Sequence, residues 1–200
     1  MTDEAVTLGK LIIPSKVYAF VERVVVQLFI ELGIHSVPID PFYIARQKGY
    51  VLVPFSVLTP AALLELKLKK IDGASCRRKC NGRYYIFYDD SASYVRQRFT
   101  IMHEIGHILL NHKEDSELAE RLANHFAGYA LAPTPLIGLY GCEDYIETAE
   151  LFGVSEESAV YRISAFNHWN GFSWHKDYDD KLLCMFEKKE YTGGDARWLF

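Results

Sequence analysis

Residues 103 to 107 read His-Glu-Ile-Gly-His, and the residues around them, Ile101, Met102, Ile105, Ile108 and Leu109, are apolar. Their spacing predicts a helix from about Ser93 to Asn111. On a helix, residues four apart lie on one face, so His103 and His107 stand one above the other. This pair constrains the fold more than any other feature of the chain. The apolar residues must be buried, the two imidazoles must look into a polar space, and another segment must close that space. Gly106 lets such a segment pack tightly beside them.

Two imidazoles one turn apart suit a divalent metal, above all zinc, which takes histidine nitrogens at about 2.0–2.1 Å. Glu104 follows the first histidine directly, where a carboxylate can act as general base on water. This is the H-E-x-x-H arrangement of zinc peptidases. A catalytic zinc needs a third protein ligand and an open position. The next predicted helix, from about Ser116 to Leu131, offers Glu120, with Asn124 one turn later. Asn124 can accept from the free ring nitrogen of His103 and fix its tautomer. Glu117 is the main competitor for the third position, followed by Glu114 and Asp115. His112 and His125 are nearby, but spacing favours surface or supporting roles for both.

The rest of the chain predicts helices around a small sheet, an α+β fold. Ser15 is positioned to cap a helix from about Lys16 to Leu32, with Val17, Phe20, Val21, Val24, Val25, Leu28 and Leu32 on its apolar face and Gly33 at its end. Asp40-Pro41 opens a short helix that stops at Gly49. Tyr50 to Val53 reads as a strand, and Thr59-Pro60 opens another helix ending before Gly73. Asn81-Gly82 signals a hairpin between strands near Ala74 to Lys79 and Arg83 to Tyr88. Pro133 and Pro135 end the Glu120 helix. Two short helices follow, near Glu143 to Phe152 and Glu156 to His168, and then a weakly patterned tail.

The 200 residues suffice for one well-buried core. The expected organisation is a single domain over residues 1–200, with a core at about 37–140 and a helical C-terminal extension at about 141–200. A net charge of −4 gives no basic footprint for nucleic acid. No apolar stretch is long enough to span a bilayer, and the N-terminus has no signal-peptide pattern. Cys76, Cys80, Cys142 and Cys184 are too scattered for a disulfide scaffold, which points to the reducing cytoplasm. Cys76 and Cys80 lack a second Cys or His pair at zinc-finger spacing and read as free thiols on the hairpin. Oligomeric state leaves no signal.

The run RQRFTIMHEIGHILLNH, followed by ERLANHFAGYALAP, resembles the ImmA/IrrE family of metallopeptidases. Arg96, Arg98, Phe99 and Thr100 match the family's approach to its zinc helix. Glu120, Ala123, Asn124, Phe126, Ala127 and Pro133 match its second helix. Weaker matches are VPIDPFYIARQKGYVLV from Val37 and LFGVSEESAVYRI from Leu151, so the resemblance covers about Val37 to Ile163. It implies a zincin-like fold in which the H-E-x-x-H helix and a Glu-bearing helix pack on a small sheet. It also selects Glu120 over Glu117, giving His103, His107 and Glu120 as zinc ligands and Glu104 as the catalytic base.

The resemblance further implies a zinc-dependent endopeptidase that cleaves a helix-turn-helix transcriptional repressor, in mobile-element or stress regulation. The alternative is a non-hydrolytic zinc protein that binds such a regulator; an intact Glu104 weighs against it. The segment LFGVSEESAVYRISAF also resembles half of a helix-turn-helix, with Arg162 on its second helix. Its acidic residues favour packing of Val154, Val160 and Ile163 on the core instead. The strand from Tyr84 to Tyr88 is a candidate for binding substrate backbone, or plain core. Tyr84, Tyr85, His168 and His175 are candidate transition-state donors that sequence alone does not separate.

Overall fold

The structure, a computed structural model, describes residues 13–69, 71–114, 116–171 and 176–187. Helices dominate and surround one three-stranded sheet, an α+β architecture. Helix α1 (Ser15–Leu32) ends at Gly33, whose left-handed φ of 62° suits a residue without a Cβ. Ser15 is its first residue rather than its cap; Pro14 takes the cap position, with no side-chain capping bond. The buried face runs through Val21, Val25, Val26, Leu28 and Phe29, whereas Phe20 is 57% exposed. The face is rotated from the expected one because a late helix covers Phe29, whose ring meets Phe186 at 6.3 Å.

Helix α2 (Pro41–Gln47) starts as its sequence predicts. Asp40 accepts from Phe42 N at 2.8 Å, and Pro41 fills the first turn, where a missing N–H leaves nothing unpaired. Strand β1 (Val51–Pro54) and helix α3 (Pro60–Leu68), capped by Thr59, follow. Strands β2 (Gly73–Arg77) and β3 (Tyr84–Tyr88) form the antiparallel hairpin, with Arg77 opposite Tyr84. Its loop is longer than a two-residue Asn-Gly turn: Arg78 N donates to Arg83 O, and Gly82 takes the left-handed φ of 68° inside it. Strand β1 pairs in parallel with β3, not with β2, so the sheet order is β1-β3-β2.

Helix α4 (Tyr94–Leu109), capped by Ser93, carries the His-Glu-Ile-Gly-His segment. Helix α5 (Glu117–Leu131), capped by Ser116, returns against it. Gly106 sets their closest approach, since a Cβ there would stand 3.0 Å from the Phe126 ring. Ile101, Met102, Ile105, Phe126, Ala127 and the β3 residue Ile86 are fully buried in one core with α1.

Pro133 and Pro135 do end α5, but they also start a short helix that the sequence did not disclose, α6 (Thr134–Leu139). Helices α7 (Tyr145–Phe152) and α8 (Glu156–Gly171) meet at Gly153, φ 61°. The tail contains α9 (Asp177–Glu187), which buries Tyr178, Leu182 and Phe186. That spacing of four is a helical signal. The three aspartates of the first turn suit the positive end of the helix dipole.

Two buried arginines tie these parts together. Arg98 of α4, 3% exposed, donates to Ile39 O at 2.6 Å and to Phe152 O at 3.0 Å, and also to Gly153 O. It thereby holds the C-terminal end of α7 against the start of the metal-motif helix. Arg162 of α8, 2% exposed, donates to Ala132 O and the Thr134 hydroxyl. On the helix-turn-helix reading it would face DNA; here it faces inward. Val154 is buried and Ile163 packs on the core as expected, but Val160 is 52% exposed, on the outer side of α8.

Candidate metal centre

His103 and His107 lie on the face of α4 turned toward α5, and Glu120 sits in the first turn of α5 opposite them. The two imidazole Nε2 atoms are 2.9 Å apart. One Glu120 oxygen is 3.4 Å from His103 Nε2, and the other is 3.3 Å from His107 Nε2. Ligands about 2.0–2.1 Å from one tetrahedral zinc stand about 3.3–3.4 Å apart. The donor set, two imidazole nitrogens and a carboxylate, suits that ion; both Glu120 spacings match this separation, and the two nitrogens stand closer together than it. Among the described residues this is the group whose ligand atoms converge as a metal site requires.

The far ring nitrogens are held as well. His103 Nδ1 lies 3.0 Å from Asn124 Oδ1, an acceptor, so that nitrogen carries the proton and Nε2 presents its lone pair inward. His107 Nδ1 lies 3.1 Å from His112 Nδ1, just past the end of α4. Burial and the neighbouring His107 pull the His103 pKa down to about 4, against the pull of Asn124, which keeps the ring neutral. Burial and His107 also lower His112.

These residues open onto a cleft of about 600 Å³. Glu104 lines it and is 7% exposed. Its carboxylate lies beside Gly73, at 3.5 Å from where a Cβ on that glycine would be. The opposite wall is the start of β2, from Ile71 to Ser75, and Asp72 there pairs with Arg96 of α4.

Other candidates separate from the centre. Glu117 is exposed and pairs with Arg121 one turn on. Glu114 lines the cleft outside the ligand group, and Asp115 lies outside the described residues. His125 points to α1, with Nε2 3.1 Å from Glu22. Cys76 and Cys80 are exposed free thiols.

The strand proposed to receive substrate requires correction. Strand β3 is central, and its backbone is committed to β1 on one side and β2 on the other. The open edge that lines the cleft belongs to β2. The hairpin signal marks both strands alike; the missing fact was the parallel pairing of β1 with β3. Tyr84 and Tyr85 are not in the cleft: Tyr84 packs on Tyr50, and the Tyr85 hydroxyl bonds Asn81. His168 lines a different cavity, and His175 lies outside the described residues. His112, Arg96 and Lys113 are the cations or imidazoles that do line the cleft besides the ligand pair.

Residues 60–164 match the peptidase M78 family, described as the IrrE N-terminal-like domain. The match takes in α3 to most of α8, and so both metal-motif helices and the cleft wall. A search of curated proteins finds no match.

Proposed function

Because the chain belongs to the peptidase M78 family, a family of metallopeptidases, we propose that it is a zinc-dependent endopeptidase of zincin-like design that cuts a helix-turn-helix transcriptional regulator at one or a few sites. The observation that carries the reading is the mutual spacing of 2.9–3.4 Å among His103 Nε2, His107 Nε2 and the Glu120 carboxylate.

In this reading His103, His107 and Glu120 hold the ion. Bound zinc supplies Lewis acidity toward water and the scissile carbonyl. Glu104 takes the proton of the attacking water and returns it to the leaving amine. Its burial beside Gly73 fixes the carboxylate where α4 faces the cleft. Asn124 and His112 orient the two imidazoles. The open edge of β2 offers backbone N–H and C=O groups to an extended substrate segment, while Asp72, Arg96 and Lys113 present charge to its side chains.

Edge binding demands an extended, accessible segment, so a flexible linker of the regulator is the target, not its folded DNA-binding domain. The four cysteines are free, which suits a reducing cytoplasm. No described helix is long and apolar enough to cross a membrane. The test is incubation of the purified protein with its candidate regulator, with and without chelator, beside Glu104→Gln. Site-specific, chelator-sensitive cleavage that the variant loses supports the proposal. Chelator-insensitive cleavage, or wild-type cleavage by Glu104→Gln, overturns it. Tight binding without a cut while zinc is bound favours the non-hydrolytic alternative.

A further inference from the structure

Beneath the other side of α5 lies a second cavity of about 270 Å³, apart from the cleft. Its wall combines Glu22 of α1, Tyr129 of α5, Thr134 of α6, Arg162 of α8, and Lys176 and Asp179 around the start of α9. The carboxylates there are already engaged. Glu22 accepts from Lys176 Nζ at 2.6 Å, from the Tyr178 hydroxyl at 2.6 Å and from His125 at 3.1 Å. Asp179 accepts from the Lys176 backbone N–H at 3.1 Å.

The donors are in the opposite condition. Arg162 is 2% exposed and its guanidinium has five N–H groups, yet its bonds go to one carbonyl and one hydroxyl. Among the described residues no carboxylate forms a direct ion pair with it; Glu22, on the same wall, acts on its charge from farther off, and the guanidinium rests over the Tyr129 ring, 5.5 Å from the centroid. The Tyr129 hydroxyl is fully buried and has no hydrogen-bond partner among the described residues. A buried cation with no carboxylate in contact and a buried hydroxyl without a partner are both unfavourable, and native structures keep few of either. Here the two line the same void.

We propose that this cavity binds a small organic anion, whose carboxylate or phosphoryl oxygens are received by Arg162 and the Tyr129 hydroxyl. Its volume lies just under the usual range for ligand pockets, about 300–1,000 Å³, which admits a short-chain carboxylate or a small phosphate and excludes a nucleotide. Helix α5 carries Tyr129 on this side and Glu120 with Asn124 on the cleft side, so an occupant braces the helix that supplies the third metal ligand. The inference rests on these polar groups alone and stands whether or not the cleft holds zinc.

The probes are inorganic phosphate and succinate, each titrated calorimetrically and followed by thermal melting, against sodium chloride at matched ionic strength. The wild-type chain should show saturable binding and a raised melting temperature with at least one probe. Phosphate alone identifies a phosphoryl ligand, succinate alone a carboxylate, and both the shared oxyanion chemistry. Tyr129→Phe removes one buried oxygen without changing ring packing; it should fold at least as stably as wild type without anion and bind at least fivefold more weakly. Arg162→Lys keeps the charge with fewer donors and should weaken binding further; if it fails to fold, Tyr129→Phe decides. Neither probe acting beyond chloride, or unchanged affinity in Tyr129→Phe, overturns the proposal.

Discussion

Replacing Gly73 by alanine tests how the cleft is built. Gly73 opens β2 where the strand crosses α4, and an added Cβ would stand 2.2 Å from Thr100 Cγ2, 3.3 Å from Phe87 O and 3.5 Å from Glu104 Oε1. Carbon atoms in contact rest about 3.5–4.0 Å apart, so strand and helix must separate by roughly 1.5 Å. Thr100 is 7% exposed and β-branched, which leaves it little freedom to turn aside. Overpacking of this kind costs about 1–3 kcal/mol. The displaced strand is the cleft wall beside Glu104. Thr100→Ser removes the obstructing methyl and alone costs about 1 kcal/mol for the lost buried carbon. In the double variant the clash is gone, so the two changes together should cost about 1–2 kcal/mol less than their sum. Urea unfolding of wild type, both single variants and the double variant measures this coupling. Gly73→Ala within about 0.5 kcal/mol of wild type, or additive effects, would refute the claim that α4 and β2 touch at Thr100.

Acid should unfold the protein partly through Glu22. Burial pushes its carboxyl pKa up, but bonds from His125, Lys176 and Tyr178 outweigh burial and hold it at about 2, against 4.5 ordinarily. A depressed folded-state pKa gives stability that is complete above the unfolded value and is lost as pH falls through the folded one. About 3 kcal/mol should therefore disappear between about pH 4.5 and 2, and Glu22→Gln should lack that loss in a pH series of urea unfolding. The two residues that flank the proposed metal ligands should matter nearly as much as the ligands. Asn124→Ala and His112→Ala should each weaken zinc binding about 10–100-fold in competition with a chromogenic chelator, and wild-type affinity in either would show that its ring contact does not orient the ligand.

Much of this architecture could be read from residue order because local signals agreed with tertiary demand. Asp40-Pro41, Thr59-Pro60, Ser93 and Ser116 all mark helix starts, because a capping oxygen or a proline satisfies the first turn whatever packs outside it. Asn124 beside His103 followed from helical spacing once Glu120 faced the histidines. What escaped depended on partners distant in sequence. The parallel pairing of β1 with β3 makes β2 the open edge, and no residue in the hairpin encodes that choice. The face expected of α1 includes Phe20 and omits Phe29; α9 covers Phe29 and leaves Phe20 exposed. Arg162 also reads as a contact to DNA because exposure is invisible in sequence; it is the largest fully buried side chain among the described residues.

Metal stoichiometry tests the central claim most directly. Elemental analysis of protein purified without added metal or chelator should find one zinc per chain in wild type and in Glu117→Ala, with a large loss in His107→Ala and Glu120→Ala. Circular dichroism should confirm that each variant is folded. Full zinc in a folded Glu120→Ala, or zinc lost only from Glu117→Ala, would contradict the assignment of His103, His107 and Glu120 as the centre.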